Sequence, residues 1–307
     1  MIKFILRRIA VAIPTLFILS VVTFFLMHAA PGGPFNSERP LPASVMANIN
    51  AKYGLDQPLW QQLFTYLKGV VTAFDFGPSY KFKDRTVNDI IAQGFPVTLT
   101  YGFWSFIVAT VCGISLGVAA AVRHNSFLDY FAVGISVGAQ VLPNFVMAPL
   151  LLWLFTLTLG WLPGGGWDGG GFKNLVMPVI ALSTSYMASI ARLTRSSMLE
   201  VLNSNFIRTA RAKGLSNTKI IFSHAIKPAL LPVISYLGPA FVGMITGSVV
   251  IDTFFSTGGI GQAFVNSAFS RDYSVMMGIT ILVGALTITF NMVADILYAW
   301  IDPKVRL

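Results

Sequence analysis

The stretch IAVAIPTLFILSVVTFFLMHAA, Ile9 to Ala30, runs for 22 residues without a charged side chain. A bilayer core about 30 Å thick needs about 20 apolar helical residues to cross, so this run reads as a membrane span. Five more blocks follow: Pro96 to Val122, Tyr130 to Gly160, Leu175 to Ala191, Leu230 to Ile251 and Val275 to Ala299. The third is longer than a span requires and carries Pro143 and Pro149, which predicts a kinked or tilted helix, or a short interfacial piece leading into one. The fourth is short and contains Pro178. Inside hydrocarbon the backbone must bond to itself, which leaves helices or closed barrels. No block shows the alternation of a barrel strand, so the fold class is all-α integral membrane with six transmembrane helices.

The whole chain agrees with its first block. Of its 307 residues 55% are hydrophobic and 11% charged, and mean hydropathy is +0.71, more apolar surface than a globular core of this size uses. The first block exceeds the 7 to 15 apolar residues of a signal peptide, so it reads as a retained helix. Net charge is +9. A nucleic-acid binder gathers such charge with stacking aromatics on a soluble face, whereas here the charges lie between apolar blocks.

Their placement gives an orientation. Lys3, Arg7 and Arg8 precede the first span, Arg123 lies in a short loop, and Arg192, Arg195, Arg208, Arg211, Lys213, Lys219 and Lys227 lie in the loop 192–229. With Lys304 and Arg306 in the tail these make 13 of the 21 basic residues, against Asp129, Glu200 and Asp302. The segment Pro31 to Phe95 carries six bases and five acids. The positive-inside rule therefore puts both termini in the cytoplasm and residues 31–95 outside. In that outer segment a helix is expected from Ser44 to Tyr53, stopped at Gly54. A second is expected after a cap at Asp56, with Leu59, Leu63, Leu67 and Val70 along one face. Pro31, Gly32, Gly33 and Pro34 are expected to stop the first span at the outer surface.

Several chemistries are excluded. The dipeptide Gly-Lys is absent, so there is no P-loop, and any ATP that drives the protein belongs to another chain. No H-E-x-x-H occurs, and a lone Cys112 forms neither an intramolecular disulfide nor a cysteine metal cluster. G-x-S-x-G appears at Gly113–Gly117 and Gly134–Gly138, but inside apolar blocks, where small residues four apart serve helix packing. Gly243 and Gly247 repeat that spacing. A secondary carrier would need more mid-membrane acids than this chain offers; Asp295, near an inner end, reads as interfacial.

FIRTARAKGLS, Phe206 to Ser216, concentrates Arg208, Arg211 and Lys213. It reads as a short helix capped by Ser204 or Asn205, with cations at its negative end and Gly214 as a left-handed stop. Ala210 and Ala212 leave its surface nearly bare. A solvated basic loop, a lipid patch and a seat for a protein partner all fit that pattern.

Arg208-Thr-Ala-Arg-Ala-Lys-Gly214, followed by His224-Ala-Ile-Lys-Pro-Ala-Leu-Leu-Pro232, resembles the cytoplasmic loop signature of inner-membrane permease subunits of binding-protein-dependent ABC importers. Lys3-Phe-Ile-Leu-Arg-Arg8, Pro14-Thr15, Pro31-Gly32, Asp75-Phe-Gly-Pro-Ser79, Trp161-Leu-Pro163, Gly259-Ile-Gly261 and Asp302-Pro-Lys304 extend the resemblance over the whole chain. The peptide and nickel class matches best, and within it the oligopeptide permeases. The resemblance implies a type I importer permease fold: a cytoplasmic start and first helix (1–30), an extracytoplasmic segment (31–95) and a five-helix core (96–307). It implies half of a translocation path for oligopeptides, with dipeptides, glutathione or nickel complexes as alternatives, in the bacterial inner membrane. The chain itself would carry no catalytic residue, metal or cofactor; ATP and Mg would be bound by two partner ATPase subunits. A second homologous permease, an extracytoplasmic peptide-binding protein and the lipid bilayer complete its surroundings, and nucleic acid is no partner. Arg208, Thr209, Ala210, Arg211, Ala212, Lys213 and Gly214 would form the helix coupled to the ATPase. Gln140 and Asn144 would line the pathway. Asp252 stands where Glu is usual and Gly258 where Pro is usual, which predicts a looser outer loop after the fifth helix.

Overall fold

A computed structural model describes residues 2–30, 33–35, 42–246 and 248–301. Pro31, Gly32, Gly247 and the tail from Asp302, including Lys304 and Arg306, lie outside the described residues. In chain order the helices are α1 (Ile2–Ala29), α2 (Ala43–Tyr53), α3 (Leu59–Ala73), α4 (Val87–Val122), α5 (Phe127–Val141), α6 (Asn144–Leu151), α7 (Phe172–Leu202) and α8 (Asn205–Ala212). They continue as α9 (Asn217–Lys219), α10 (Ile226–Ala229), α11 (Leu231–Thr246), α12 (Val249–Phe254), α13 (Ile260–Ser270) and α14 (Tyr273–Ile301). Wide π-helical turns occupy Leu152–Thr158 and Ile220–Ala225.

Among the described residues five helical stretches are long and apolar enough to cross a membrane: Arg7–Ala29, Val87–Val122, Phe172–Leu202, Leu231–Phe254 and Tyr273–Ile296. The third apolar block bends at Pro143, as expected, but far more sharply than a helix kink. Phe127–Val141 and Phe145–Thr158 meet at 107°, and they make a sixth span only if the bent pair counts as one. The cause is local: a proline drives the residue before it out of the helical region, and Leu142, preceding Pro143, is extended at ψ 110°. The short fourth block is the middle of the 31-residue α7.

The chain forms two compact units. The first holds Met1–Val97 and Gly258–Ile288. Phe24 and Met27 of α1 pack there with Tyr273, Met277 and Ile281 of α14, flanked by Leu63 and Tyr66 of α3. α14 approaches its neighbours closely: a Cβ on Gly278 would lie 2.4 Å from Val87 Cγ1, and one on Gly284 2.5 Å from Leu19 Cδ2. Asp272, fully buried, accepts hydrogen bonds from the Ser79 hydroxyl and the Tyr80 and Lys81 N–H groups, tying the loop before α4 to the start of α14. α2 stops at Gly54 in the left-handed region (φ 66°), as expected. α3 does not begin at an Asp56 cap: Pro58 is the residue before its first turn, and its fixed φ of −55° pre-sets the entry.

The second unit holds Thr98–Thr257 and Thr289–Leu307. α7 is its axis, packing against α5, α6, α10, α11 and α12. The first G-x-S-x-G motif packs helix on helix, since a Cβ on Gly117 would fall 2.5 Å from both the Ala191 carbonyl and Thr194 Cβ. Gly243 does the same against the Tyr186 hydroxyl. The second motif differs: nothing described lies within 4 Å of a Cβ built on Gly134 or Gly138, so that face of α5 is open.

Candidate functional site

α8 is eight residues long and contains no acid. Its lone large aliphatic residue, Ile207, is fully buried, and Ala210 three residues on is 6% exposed. Both enter an apolar cluster with Ala121 of α4, Met198 of α7, and Ile220, Ala225 and Ala229 of the following run. The expectation that Ala210 leaves the surface bare is therefore corrected: it is part of the peg. Arg208, Thr209, Arg211, Ala212 and Lys213 form the exposed side. Arg208 and Arg211, three residues apart, share a face. The Thr209 hydroxyl is occupied within the helix, donating to the Asn205 carbonyl at 3.1 Å.

Both ends of α8 obey local rules, one with a correction. Ser204 is the N-terminal boundary in extended conformation, but its hydroxyl donates back to the Val201 carbonyl at 2.6 Å instead of capping α8. At the other end Gly214 has φ 75°. Its N–H reaches the Arg211 carbonyl and the Leu215 N–H reaches the Ala210 carbonyl, closing the helix. A Cβ on Gly214 would meet nothing within 4 Å, so its requirement is backbone conformation alone.

One turn back along α7 from Met198 lies Arg195. Its guanidinium forks onto the Asp129 carboxylate of α5, Nε to Oδ1 at 2.5 Å and Nη2 to Oδ2 at 2.8 Å. Asp129 is 1% exposed and also accepts the Asn125 N–H at 3.0 Å. His124 Nδ1 lies 3.1 Å from Asp129 Oδ2 and 3.3 Å from Arg195 Nη2. Ser126 caps α5 by accepting the Asp129 N–H. In sequence Asp129 and Arg195 stand out only as loop charges; the local trace is an acid in the first turn after a capping serine.

Gln140 and Asn144 are separated rather than joined. Gln140 is exposed near the end of α5 and Asn144 opens α6 across the Leu142–Pro143 break, so they do not stack one turn apart on a common helix. Asp252, read from sequence only as a departure, is a fully buried hub. It accepts from the hydroxyls of Thr98, Tyr101, Ser248 and Thr257. The loop after α12 is thus pinned, not loosened, and Gly258 sits at φ 76°, which proline's ring cannot adopt. Among the described residues no group of three His, Cys, Asp or Glu side chains is placed to hold a metal ion.

α8 offers no reacting constellation: a buried apolar side carries a small exposed cationic face. Comparisons with known proteins bear on the partner. The family model "Binding-protein-dependent transport system inner membrane component" matches residues 113–307, and its N-terminal companion model matches residues 1–102. The oligopeptide transport system permease protein OppB of Salmonella typhimurium is 58% identical over 306 residues, covering 100% of both chains. OppB of Haemophilus influenzae is 55% identical over the same length. The dipeptide transport system permease protein DppB of Bacillus subtilis is 42% identical, covering 100% of this chain and 99% of its own. Among solved structures, an inward-facing MetNI methionine ABC transporter chain superimposes with a TM-score of 0.58 at 17% identity, over 70% of this chain and 97% of that one. That likeness concerns the fold.

Proposed function

The chain belongs to the binding-protein-dependent transport system inner-membrane components, a multi-pass permease family whose ATPase is a separate subunit, and on that premise we propose that it forms half of an import path for oligopeptides. Identity of 58% to an oligopeptide permease, against 42% to a dipeptide one, supports the cargo class. The observation that carries the mechanism is α8: Ile207 and Ala210 fix it to α4 and α7, while Arg208, Thr209, Arg211, Ala212 and Lys213 stay exposed. A helix held this way moves as a unit with the ends of those spans, and its cations suit carboxylates of a docked protein. We assign Arg208 to Gly214 as the element that seats on an ATPase subunit and passes its closure to the membrane helices. ATP and Mg sit in that partner.

In this reading the basic loops and both termini face the cytoplasm. Residues 1–30 form the anchoring start, 31–95 the outer segment facing a peptide-binding protein, and 96–307 the core. Two ATPase subunits meet the inner face. A second, homologous permease completes the path, and the open Gly134–Gly138 face of α5 is a place where its helix could approach closely. Gln140 and Asn144, at the bent pair, are assigned to the path lining.

The test is a complex reconstituted with its ATPase and binding protein and offered peptides of two to six residues. Peptides longer than two should give the larger stimulation of ATP hydrolysis. Stimulation by dipeptides alone would move the cargo to the class of the second set of relatives. Stimulation by none would reject the peptide reading.

A further inference from the structure

Among the described residues the carboxylates of Asp129, Asp252 and Asp272 are buried, and they are satisfied differently. Asp272 and Asp252 accept from hydroxyl or backbone N–H groups within their own units. Asp129 pairs with a guanidinium, and that guanidinium belongs to another helix. The place of the pair matters more than its strength. Arg195 and Met198 are three residues apart on one face of α7, and Met198 is in the apolar seat of α8. That seat draws on α4, α7, α8 and the run from Ile220 to Ala229, and none of its residues comes from α5. α5 does pack along α7, but apolar helix faces slide past each other in shear motions. A two-pronged hydrogen-bonded pair fixes register, because slipping either partner leaves a desolvated charge behind.

We propose that Asp129 and Arg195 are positioning residues for transport coupling. Their clamp makes α5, and with it the bent pair that carries Gln140, travel with the inner end of α7 when α8 is displaced. The α4–α5 turn is shaped for the task. Asn125 takes a left-handed φ of 59° so that its N–H also points at Asp129, and His124 closes over the pair from the exposed side. The proposal rests on the reading of α8 as the ATPase seat.

The experiment compares Asp129→Asn, Arg195→Gln and Asp129→Glu, which keeps a carboxylate for the Arg195 fork, each in the full reconstituted complex. Three quantities are read: ATPase subunits co-purified per permease, peptide transported per ATP hydrolysed, and thermal midpoint. Asp129→Asn and Arg195→Gln should each retain their ATPase subunits and lose at least ten-fold in peptide transported per ATP. Asp129→Glu should stay within about three-fold of wild type. A wild-type transport ratio in Asp129→Asn overturns the proposal. Loss of uptake that merely follows loss of the ATPase subunits or of thermal stability overturns it too. Arg208→Ala with Arg211→Ala, run alongside, separates the two layers. If this control keeps attachment and uptake unchanged, the α8 reading fails and takes the clamp with it. If the control loses attachment while Asp129→Asn keeps the wild-type ratio, only the clamp fails.

Discussion

Two helices outside the apolar spans, α3 in one unit and α8 in the other, are both amphipathic but spend their apolar residues in opposite ways. α8 hides Ile207 completely and shows its solvent side as Arg208, Arg211 and Lys213. α3 has no fully buried side chain: Leu63 and Tyr66 lean on the core, while Trp60, Phe64 and Val71 remain 64% to 75% exposed on a neighbouring face. A short helix held by an inward peg is a fixed surface for a polar partner. A helix that keeps Trp and Phe outward suits the boundary between lipid and water. Under the proposed function the first would transmit force, while the second would rest on its surroundings.

Substitutions break or sharpen this contrast in a definite order of stability. Ile207→Asp places an unpaired carboxylate in the α8 seat and should cost on the order of 3 to 5 kcal/mol. Thermal unfolding should show a large drop, with uptake abolished; a wild-type melting curve would mean the seat is not a core. Gly117→Val forces side-chain atoms against the Ala191 carbonyl and Thr194, where α4 meets α7, at about 1 to 3 kcal/mol or more. Its melting point should fall clearly, and less than that of Ile207→Asp. Gly214→Val has open space around it and suffers only backbone strain, about 1 to 2 kcal/mol, whereas Gly214→Asn should lose much less. Equal effects of Val and Asn on uptake would show that φ is not what matters there. Arg208→Ala and Arg211→Ala should stay within about 0.5 kcal/mol of wild type, being exposed, yet lower ATPase co-purification. Trp60→Ser and Phe64→Ser on α3 should change stability in detergent by about as little and leave ATPase attachment at the wild-type level. If these outer variants detached the ATPase as the arginine variants do, the contrast between the helices would disappear.

Much of this was legible in the order of residues, because lipid imposes long uninterrupted apolar runs and leaves charges at their ends. The left-handed stops at Gly54 and Gly214 were legible for a similar reason: only glycine takes that conformation without cost. Pro143 announced a break but not its 107°, since proline removes one conformation and leaves the turn to the packing of α6 on α7. The inward side of α8 has a readable signal in Ile207 and Ala210 at helical spacing, although the small size of alanine suits an exposed surface equally well. Asp252 and Asp129 had almost none. Their partners Tyr101 and Arg195 lie 151 and 66 residues away, and no local rule joins residues that meet only when helices pack.

The most direct measurement puts a cysteine at Thr209, on the exposed side of α8, in a Cys112→Ser chain, and treats the assembled complex with a short bifunctional thiol cross-linker. A covalent adduct of this chain with the ATPase subunit is expected, with uptake lost on cross-linking and restored when a cleavable linker is cut. No such adduct while uptake continues, or an adduct formed as readily from Phe64→Cys on α3, would contradict the assignment of α8 as the coupling element.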